Sequence, residues 1–351
     1  MRFRFRTSLI SATALSIILG TAVAAPAQSA ELATVTTVGV SLANSADITQ
    51  TTAGGQELTD FAARNAANLD PAATESLTKL RGKFQVLKID VAKVLATLGR
   101  TTPCGSPGEK LIGETLIAPR SVSNIIYKVN PEQALEPDYN PNLGLDACKL
   151  NVEWDEAAPG DSTQDDEVNP AATRPYAQMI AADCFARKWH WEDVLGTHTA
   201  TSWNDACYQN WVERYDGNSS WNYYTKKAMS SCKAYKGRLI SCGHGVERAS
   251  TGPTVYWIDW APTATQDRND CRTRAIGVSL FNVSVGGDFD LCERQVINKY
   301  SEAGKMSSYW KGKVTSTRST AHQVAVKVTQ SSPRPKWHHW INSDTCIGCL
   351  A

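Results

Sequence analysis

Short catalytic signatures are absent from this sequence. It contains no G-x-S-x-G nucleophile elbow and no cysteine-protease signature. It also lacks an H-E-x-x-H metalloprotease helix, a G-x-x-x-x-G-K-[ST] phosphate loop and a G-x-G-x-x-G motif after a strand. These absences argue against the commonest secreted hydrolases and nucleotide-binding enzymes, and nothing in the sequence implies a cofactor or a bound metal.

An excess of one charge and long apolar runs are also missing. The chain has 36 Lys and Arg against 35 Asp and Glu, a formal net charge of +1. The part after residue 200 is mildly basic, but less so than a dedicated nucleic-acid-binding protein. Beyond the first 27 residues, no stretch approaches the ~20 apolar residues that span a bilayer. We therefore expect no nucleic-acid partner and no stable membrane span in the mature protein.

The N-terminus has the pattern of a secretory signal peptide. Three arginines among the first six residues precede an apolar run from Leu9 to Ala25, and small residues follow in A-x-A order. Cleavage after Ala24 or Ala27 fits this pattern. We expect residues 1–27 to be removed and the mature protein to be secreted; the alternative is an uncleaved membrane anchor.

Ten cysteines are spread along the rest of the chain. An even number after a signal peptide predicts up to five disulfides formed in an oxidising compartment. Connectivity cannot be read from spacing, but pairing of sequence neighbours is the simplest arrangement, with Cys232 and Cys242 closing a short hairpin. The ten predicted disulfide cysteines are Cys104, Cys148, Cys184, Cys207, Cys232, Cys242, Cys271, Cys292, Cys346 and Cys349.

Residues 28–103 read as a helical hairpin. A short helix is indicated by GGQELTDFAARNAANLD, with Leu58, Phe61 and Ala62 facing inward. A longer helix is predicted from Pro71 to Leu98, because apolar residues recur at alternating spacings of three and four. They are Leu77, Leu80, Phe84, Leu87, Val91, Val94 and Leu98. Self-association through this stripe, or a removable pro-segment, are the alternatives to a purely structural hairpin.

The remainder of the chain is predicted to be rich in strands. Residues 104–174 read as an irregular segment that ends in an acidic linker, and residues 175–351 as an aromatic-rich, disulfide-stabilised domain. Strands are indicated at Pro253–Trp260, Ala275–Val285 and His322–Gln330, followed in the second case by a turn at Gly286–Gly287. The predicted fold class is therefore α+β: an N-terminal helical hairpin followed by a disulfide-rich antiparallel β-sandwich or barrel-like domain.

Aromatic residues are concentrated in the middle of this second region. Such side chains pack in cores and also stack on sugar rings, so they indicate either a core or a carbohydrate surface. The candidate ligand-binding residues are Trp189, Trp191, Trp203, Trp211, Trp221, Tyr223 and Tyr224. A basic stripe follows them, typical of a solvated face or of a site for an acidic cell-envelope glycan; it consists of Lys226, Lys227, Lys233, Lys236 and Arg238.

Acid–base chemistry has only weak candidates. A carboxylate near a histidine is the minimum that general acid–base catalysis needs. Such pairs are found in two places, and the candidate catalytic residues are Glu192, Asp193, His198, His244 and Glu247. The alternative interpretation of each is a structural or surface residue.

The C-terminal sequence KWHHWINSDTCIGCLA resembles a zinc or redox site at first sight. Adjacent histidines such as His338 and His339 rarely turn toward one metal, and a redox Cys-x-x-Cys normally starts a helix. Here Cys349 lies two residues from the end of the sequence given. We interpret Cys346 and Cys349 as disulfide partners, with Trp337 and Trp340 packed beneath them.

Three functional hypotheses follow. The first is a secreted binding or structural protein that contacts cell-wall glycan, another extracellular polysaccharide or another extracellular surface. The second is a secreted hydrolase that uses the carboxylates above. The third is a secreted inhibitor or regulatory protein.

Overall fold

The structure is a computed structural model of the chain. It describes residues 38–41, 48–50, 54–69, 74–98, 109–122, 124–129, 150–156, 173–193, 195–234, 238–263, 272–291, 295–300 and 305–346. The predicted signal peptide, most of the acidic linker, and Lys236 lie outside these residues. So do Cys104, Cys148, Cys271, Cys292 and Cys349 and the side chains of Asp193, His198 and Cys346.

Strands dominate the described part of the chain. The helices whose bounds lie within the described residues are short: α1 (Gly55–Asn65), α2 (Leu77–Lys83) and α3 (Val91–Thr97). The strands are β1 (Val38–Ser41), β2 (Ile48–Gln50), β3 (Phe84–Ile89), β4 (Glu109–Pro119), β5 (Asn124–Val129), β6 (Leu150–Asp155), β7 (Tyr176–Asp193), β8 (His198–Arg214), β9 (Trp221–Ala234), β10 (Arg238–Arg248), β11 (Tyr256–Ala261), β12 (Arg272–Ser279), β13 (Ser284–Leu291), β14 (Gln295–Tyr300), β15 (Lys305–Val314), β16 (Arg318–Thr329) and β17 (Trp337–Cys346).

Two antiparallel sheets face each other. The seven-stranded sheet has the order β1-β5-β6-β17-β10-β15-β14, and the eight-stranded sheet has the order β11-β16-β9-β8-β7-β4-β3-β2. One apolar cluster contains inward-facing residues of both sheets, such as Leu116, Phe185, Val152 and Ile341. The architecture is thus a β-sandwich whose core lies between the sheets. Strands β12 and β13 form a separate two-stranded hairpin.

The long helix predicted from Pro71 to Leu98, and with it the helical hairpin, is wrong. From residue 77 onward the chain forms two short helices, α2 and α3, and β3 separates them and pairs with β2 and β4. Phe84 and Val86 pack against α1 on one side, while Leu87 and Ile89 enter the core between the sheets. A strand buried on both faces has apolar residues at consecutive positions, and that run also satisfies a helical spacing. The shorter helix was correct, since Leu58, Phe61 and Ala62 of α1 are buried.

The single strand predicted at Ala275–Val285 is also wrong. It is the β12–β13 hairpin, in which Gly277 pairs with Gly286 and Ser279 with Ser284. The change of apolar phase near Phe281 marks the turn between two strands. Gly286 and Gly287 are inside β13, where a Cβ at Gly286 would lie 2.9 Å from the backbone carbonyl oxygen of Ile276. Close approach, rather than a turn, accounts for glycine at this position.

Strand β16 is buried on both faces, whereas the sequence predicts one buried face. Val324, Val326 and Val328 face the inner core, as the alternation indicates. Ala325, on the other face, is buried as well because the β12–β13 hairpin packs over it. The outer face of the eight-stranded sheet is therefore covered by α1 and α2 at one end and by the hairpin at the other.

Two disulfides join neighbouring cysteines of the sequence, as predicted. Cys184 and Cys207 are directly opposite each other on β7 and β8. Cys232 and Cys242 are also bonded, but they do not close a hairpin within one sheet. Since β9 belongs to the eight-stranded sheet and β10 to the seven-stranded sheet, this disulfide connects the two layers of the sandwich.

A buried ionic cluster also joins the layers. Arg187 of β7 donates from Nε to Glu114 of β4, and from Nη1 to the carbonyl oxygen of Leu150 in the opposite sheet at 2.7 Å. The hydroxyl of Tyr127, on β5, donates to the second oxygen of Glu114 at 3.0 Å. All three side chains are at most 2% exposed, so each charge depends on its partners for solvation.

Loss of Arg187 is expected to destabilise the sandwich severely. Arg187→Met leaves Glu114 as an uncompensated buried charge, which costs about 3–5 kcal/mol. Chemical unfolding at pH 7 measures this loss. The double variant Arg187→Met/Glu114→Leu should recover part of it, because no buried charge remains. Equal unfolding midpoints for the wild type and Arg187→Met would contradict this role.

Candidate functional site

The structure distributes the predicted aromatic set over different layers. Trp189 and Trp191 lie in the core between the sheets, and Tyr224 packs there as well. Trp203 is 8% exposed, and the guanidinium of Arg64 lies 4.8 Å from its ring centre. These four side chains contribute mainly to packing.

The rest of the aromatic set lies near the β12–β13 hairpin. Trp211, Trp221 and Tyr223 pack against its apolar side chains, on the outer face of the eight-stranded sheet. The ring of Trp221 contacts Tyr256 edge-on, and the ammonium of Lys327 lies 4.2 Å from its centre. Trp211 and Trp221 are half-buried, so a ligand could reach them.

The predicted catalytic residues are not brought into one site. Glu192 and Asp193 are the last two residues of β7. The backbone of Glu192 pairs with that of His198 at the end of the β7–β8 hairpin. His244 is on β10 of the other sheet and fully buried. Glu247 forms an ion pair with Lys305 at 3.7 Å on the outer face of that sheet. His244 and Glu247 point to opposite faces of β10, because their positions differ by three residues in a strand.

A cleft of ≈ 300 Å³ opens on the outer face of the eight-stranded sheet. Its walls are the end of α1 and strand β13, and its floor is formed by β8, β9 and β16. Polar groups predominate among its lining side chains, which include Asn65, Asn68, Asp205, Lys227, Asp288 and Ser319. Met229 and Phe289 provide the apolar part of the lining.

One end of the cleft is fixed by an ion pair. Arg64 of α1 donates from Nε and Nη2 to the two carboxylate oxygens of Asp205, at 2.5 and 3.0 Å. Burial raises the pKa of Asp205, and the hydrogen bonds from Arg64 oppose this shift. Because both of its oxygens are bound, Asp205 holds the helix on the sheet and positions the cleft wall.

Lys227 provides a cation without a carboxylate partner among the described residues. Its ammonium lies 4.2 Å from the centre of the Phe289 ring, and desolvation lowers its pKa. The carboxyl group of Asp288, on the neighbouring strand β13, also lines the cleft. The cleft therefore presents a positive charge and hydrogen-bonding groups that a ligand can use.

Sequence reasoning selected only one residue of this cleft. Lys227 was part of the basic stripe, but its neighbour Lys226 points to the opposite face of β9 and is 1% exposed. Arg64, Asp205 and Asp288 are far apart in the sequence and carry no local motif. The strand register that brings them together is set by long-range pairing, which no short pattern encodes.

Between the sheets lies a second polar region, which is fully buried. The imidazole rings of His244 and His322 stack with their centres 4.7 Å apart. Nδ1 of His244 is 2.8 Å from Oγ of Ser230 and 3.3 Å from Oγ1 of Thr320. Both nitrogens of His322 lack a hydrogen-bond partner within the described part of the chain. Burial lowers the pKa of His244 to about 3 and that of His322 well below its usual value.

The two C-terminal histidines also point to opposite faces of their strand. His338 lies between Asp155 and Glu153, with ring nitrogens 2.8 and 3.0 Å from their carboxylates. Burial lowers the pKa of His338, but the two carboxylates outweigh it and raise the pKa above its usual value. His339 instead packs in the core against Trp154 and Tyr208. Trp337 and Trp340 are buried, at 2% and 4% exposure.

The described residues contain no group of three or more His, Cys, Asp or Glu side chains arranged to hold a metal ion. They also contain no helix whose length and apolar character would allow it to cross a bilayer. No protein-family model matches the chain, and no curated protein is significantly similar to it.

Acid should weaken the fold through the stacked histidines. Below pH 6.5 the unfolded chain protonates His244 and His322, whereas the folded chain keeps them neutral. Stability is therefore lost as pH falls, by about 1.4 kcal/mol per pH unit for each histidine. We expect the free energy of unfolding of His322→Leu to fall less steeply with decreasing pH than that of the wild type. Urea unfolding at pH 7, 6 and 5 measures this dependence.

His338 provides the matched control. Because the pKa of His338 is raised in the folded state, this residue affects stability in the opposite direction. Its stabilising contribution is fully present below pH 6.5 and is lost as pH rises through the raised pKa. His338→Gln should therefore show an acid-induced loss at least as steep as that of the wild type. An unchanged pH slope in His322→Leu would contradict the assignment to the buried pair.

Proposed function

We propose that this is an exported binding protein that holds an acidic glycan of the cell envelope in the cleft between α1 and the β12–β13 hairpin. Export is supported by the apolar, arginine-led N-terminus and by the two disulfides, which are typical of oxidising compartments. The observation that carries the binding function is the polar cleft of ≈ 300 Å³.

The size and lining of the cleft suit a sugar unit. Ligand pockets in proteins begin at about 300 Å³. The amides of Asn65 and Asn68, the hydroxyl of Ser319 and the carboxylate of Asp288 offer both donors and acceptors for sugar hydroxyls. Lys227 can pair with an acidic group on the ligand, because the described residues leave its ammonium without a carboxylate.

Binding is favoured over hydrolysis by the state of the carboxylates. A glycosidase needs two free carboxyl groups on either side of the scissile bond. In this cleft, Asp205 is held by two hydrogen bonds from Arg64, and only Asp288 remains available. The hydrolase candidates chosen from the sequence are located elsewhere, on different sheets.

The test is a titration of the oxidised protein with uronic-acid-containing and neutral polysaccharides, together with a pull-down on cell-wall material. We expect binding of the acidic polysaccharide that weakens with added salt. Lys227→Met should reduce the affinity by about tenfold or more, as loss of a charge-assisted contact does. Asp288→Asn should weaken the binding of the polysaccharide, because the carboxylate that accepts a hydrogen bond from a sugar hydroxyl is removed.

Two control variants separate the possible sites. Lys93→Met removes an exposed lysine of α3 and should leave the affinity unchanged, which rules out a general charge effect. Trp221→Ala tests the half-buried aromatic residues outside the cleft. Affinity that survives Lys227→Met and Asp288→Asn, but is lost in Trp221→Ala, would contradict a site in the cleft.

A further inference from the structure

A lysine, a glutamate and an asparagine meet in the interior of the sandwich. Nζ of Lys226 lies 3.1 Å from Oε1 of Glu156, and Nδ2 of Asn210 donates to the same oxygen. Glu156 follows strand β6 of the seven-stranded sheet, whereas Asn210 and Lys226 belong to the eight-stranded sheet. One carboxylate oxygen thus holds an amine and a carboxamide next to each other.

The strand register keeps the amine and the carboxamide in place. Asn210 on β8 and Lys226 on β9 are direct cross-strand partners. Both lie on the inward face, in phase with Tyr208 and Ala228, so their side chains leave the sheet on the same side. Lys226 reaches Glu156 from this position with its side chain 1% exposed.

The surroundings of the lysine are unusual for a charged group. A small pocket of ≈ 20 Å³ beside it is walled by aromatic rings, including Trp154, Phe185 and Tyr208, and the Tyr208 ring centre lies 5.4 Å from Nζ. Burial lowers the pKa of Lys226, and Glu156 opposes this shift. A desolvated lysine is a better nucleophile because more of it is neutral.

Three further polar atoms in this region lack hydrogen-bond partners among the described residues. Oδ1 of Asn210 is buried and accepts no hydrogen bond, and both ring nitrogens of His339, which lines the pocket, are unpartnered. Asp183 also lines the pocket, and desolvation together with the charge of Glu156 raises the pKa of its carboxyl group to about 6. Among the described residues the carboxamide is thus held by its nitrogen alone.

We propose that Lys226 and Asn210 form an intramolecular isopeptide bond, with Glu156 as the proton carrier. Glu156 first takes a proton from the Lys226 ammonium. The lone pair of the neutral amine then attacks Cγ of Asn210 and forms the new N–C bond. Glu156 transfers a proton from the attacking nitrogen to the leaving nitrogen, the Cγ–Nδ2 bond breaks, and ammonia departs with its electron pair. Ammonia takes up the remaining proton as ammonium, which leaves Glu156 ionised as at the start.

The product is one secondary amide between β8 and β9, and the reaction needs no oxidant, metal or second substrate. It replaces a buried ammonium by a neutral amide, so the cost of burying an ion at Lys226 disappears. The cross-link would lie within the eight-stranded sheet, as the Cys184–Cys207 disulfide does, but it would survive reduction.

Intact mass of the folded, exported protein tests the proposal without any variant. After reduction of the disulfides, we expect a mass lower by one molecule of ammonia than that of the sequence counted from the experimentally determined N-terminus. Proteolysis should release a branched peptide that joins Lys226 to Asn210. A full sequence mass, with Lys226 free to react with an amine label after unfolding, would overturn the proposal.

Variants identify the role of each group. Glu156→Gln keeps the amine and the carboxamide and should retain the full mass; Lys226→Met and Asn210→Ala should do the same. Lys227→Met, a substitution of the adjacent lysine on the outer face, should still lose ammonia. Circular dichroism and thermal melting verify that each variant is folded. Loss of water instead of ammonia, with Lys226 joined to Asp183, would overturn the assignment of Asn210.

Discussion

The buried contact between Arg187 and Glu114 is the interaction on which the rest of the structure depends. It places opposite charges between two sheets, and its other partners, Tyr127 and the Leu150 carbonyl, belong to the facing sheet. An uncompensated charge in this position would be costly, so the two layers must stay in register. The disulfide between Cys232 and Cys242 adds a covalent link between the same layers. The eight-stranded sheet can then support α1 and the β12–β13 hairpin, whose separation creates the cleft.

Local patterns predicted part of this fold. The strand at β16 and the helix α1 were correct, because their alternation and spacing reflect one dominant apolar face. Residues 84–89 were placed in a helix because β3 is buried on both faces, which removes the alternation that identifies a strand. The β12–β13 hairpin was taken for one strand because its apolar residues continue through the turn. The two disulfides of the described residues join neighbouring cysteines, but only the sheet order shows that one of them connects the layers.

The candidate sites depend on features that sequence patterns cannot supply. Lys226 and Lys227 are adjacent in a basic stripe, yet strand geometry sends one into the core and the other into the cleft. Arg64, Asp205 and Asp288 meet because α1 and β13 cover the same sheet, and this depends on long-range packing. The clustered tryptophans mostly pack in hydrophobic clusters, so aromatic density alone did not locate the cleft.

Native-state hydrogen exchange in increasing urea tests most directly whether the ionic cluster makes the two sheets one cooperative unit. The strands that carry it are β4 and β7 in one sheet and β5 and β6 in the other. We expect the most protected amides of these four strands to exchange through a single global unfolding, with the same free energy and the same dependence on urea. Exchange of β5 and β6 through a separate opening of clearly lower free energy would contradict the account.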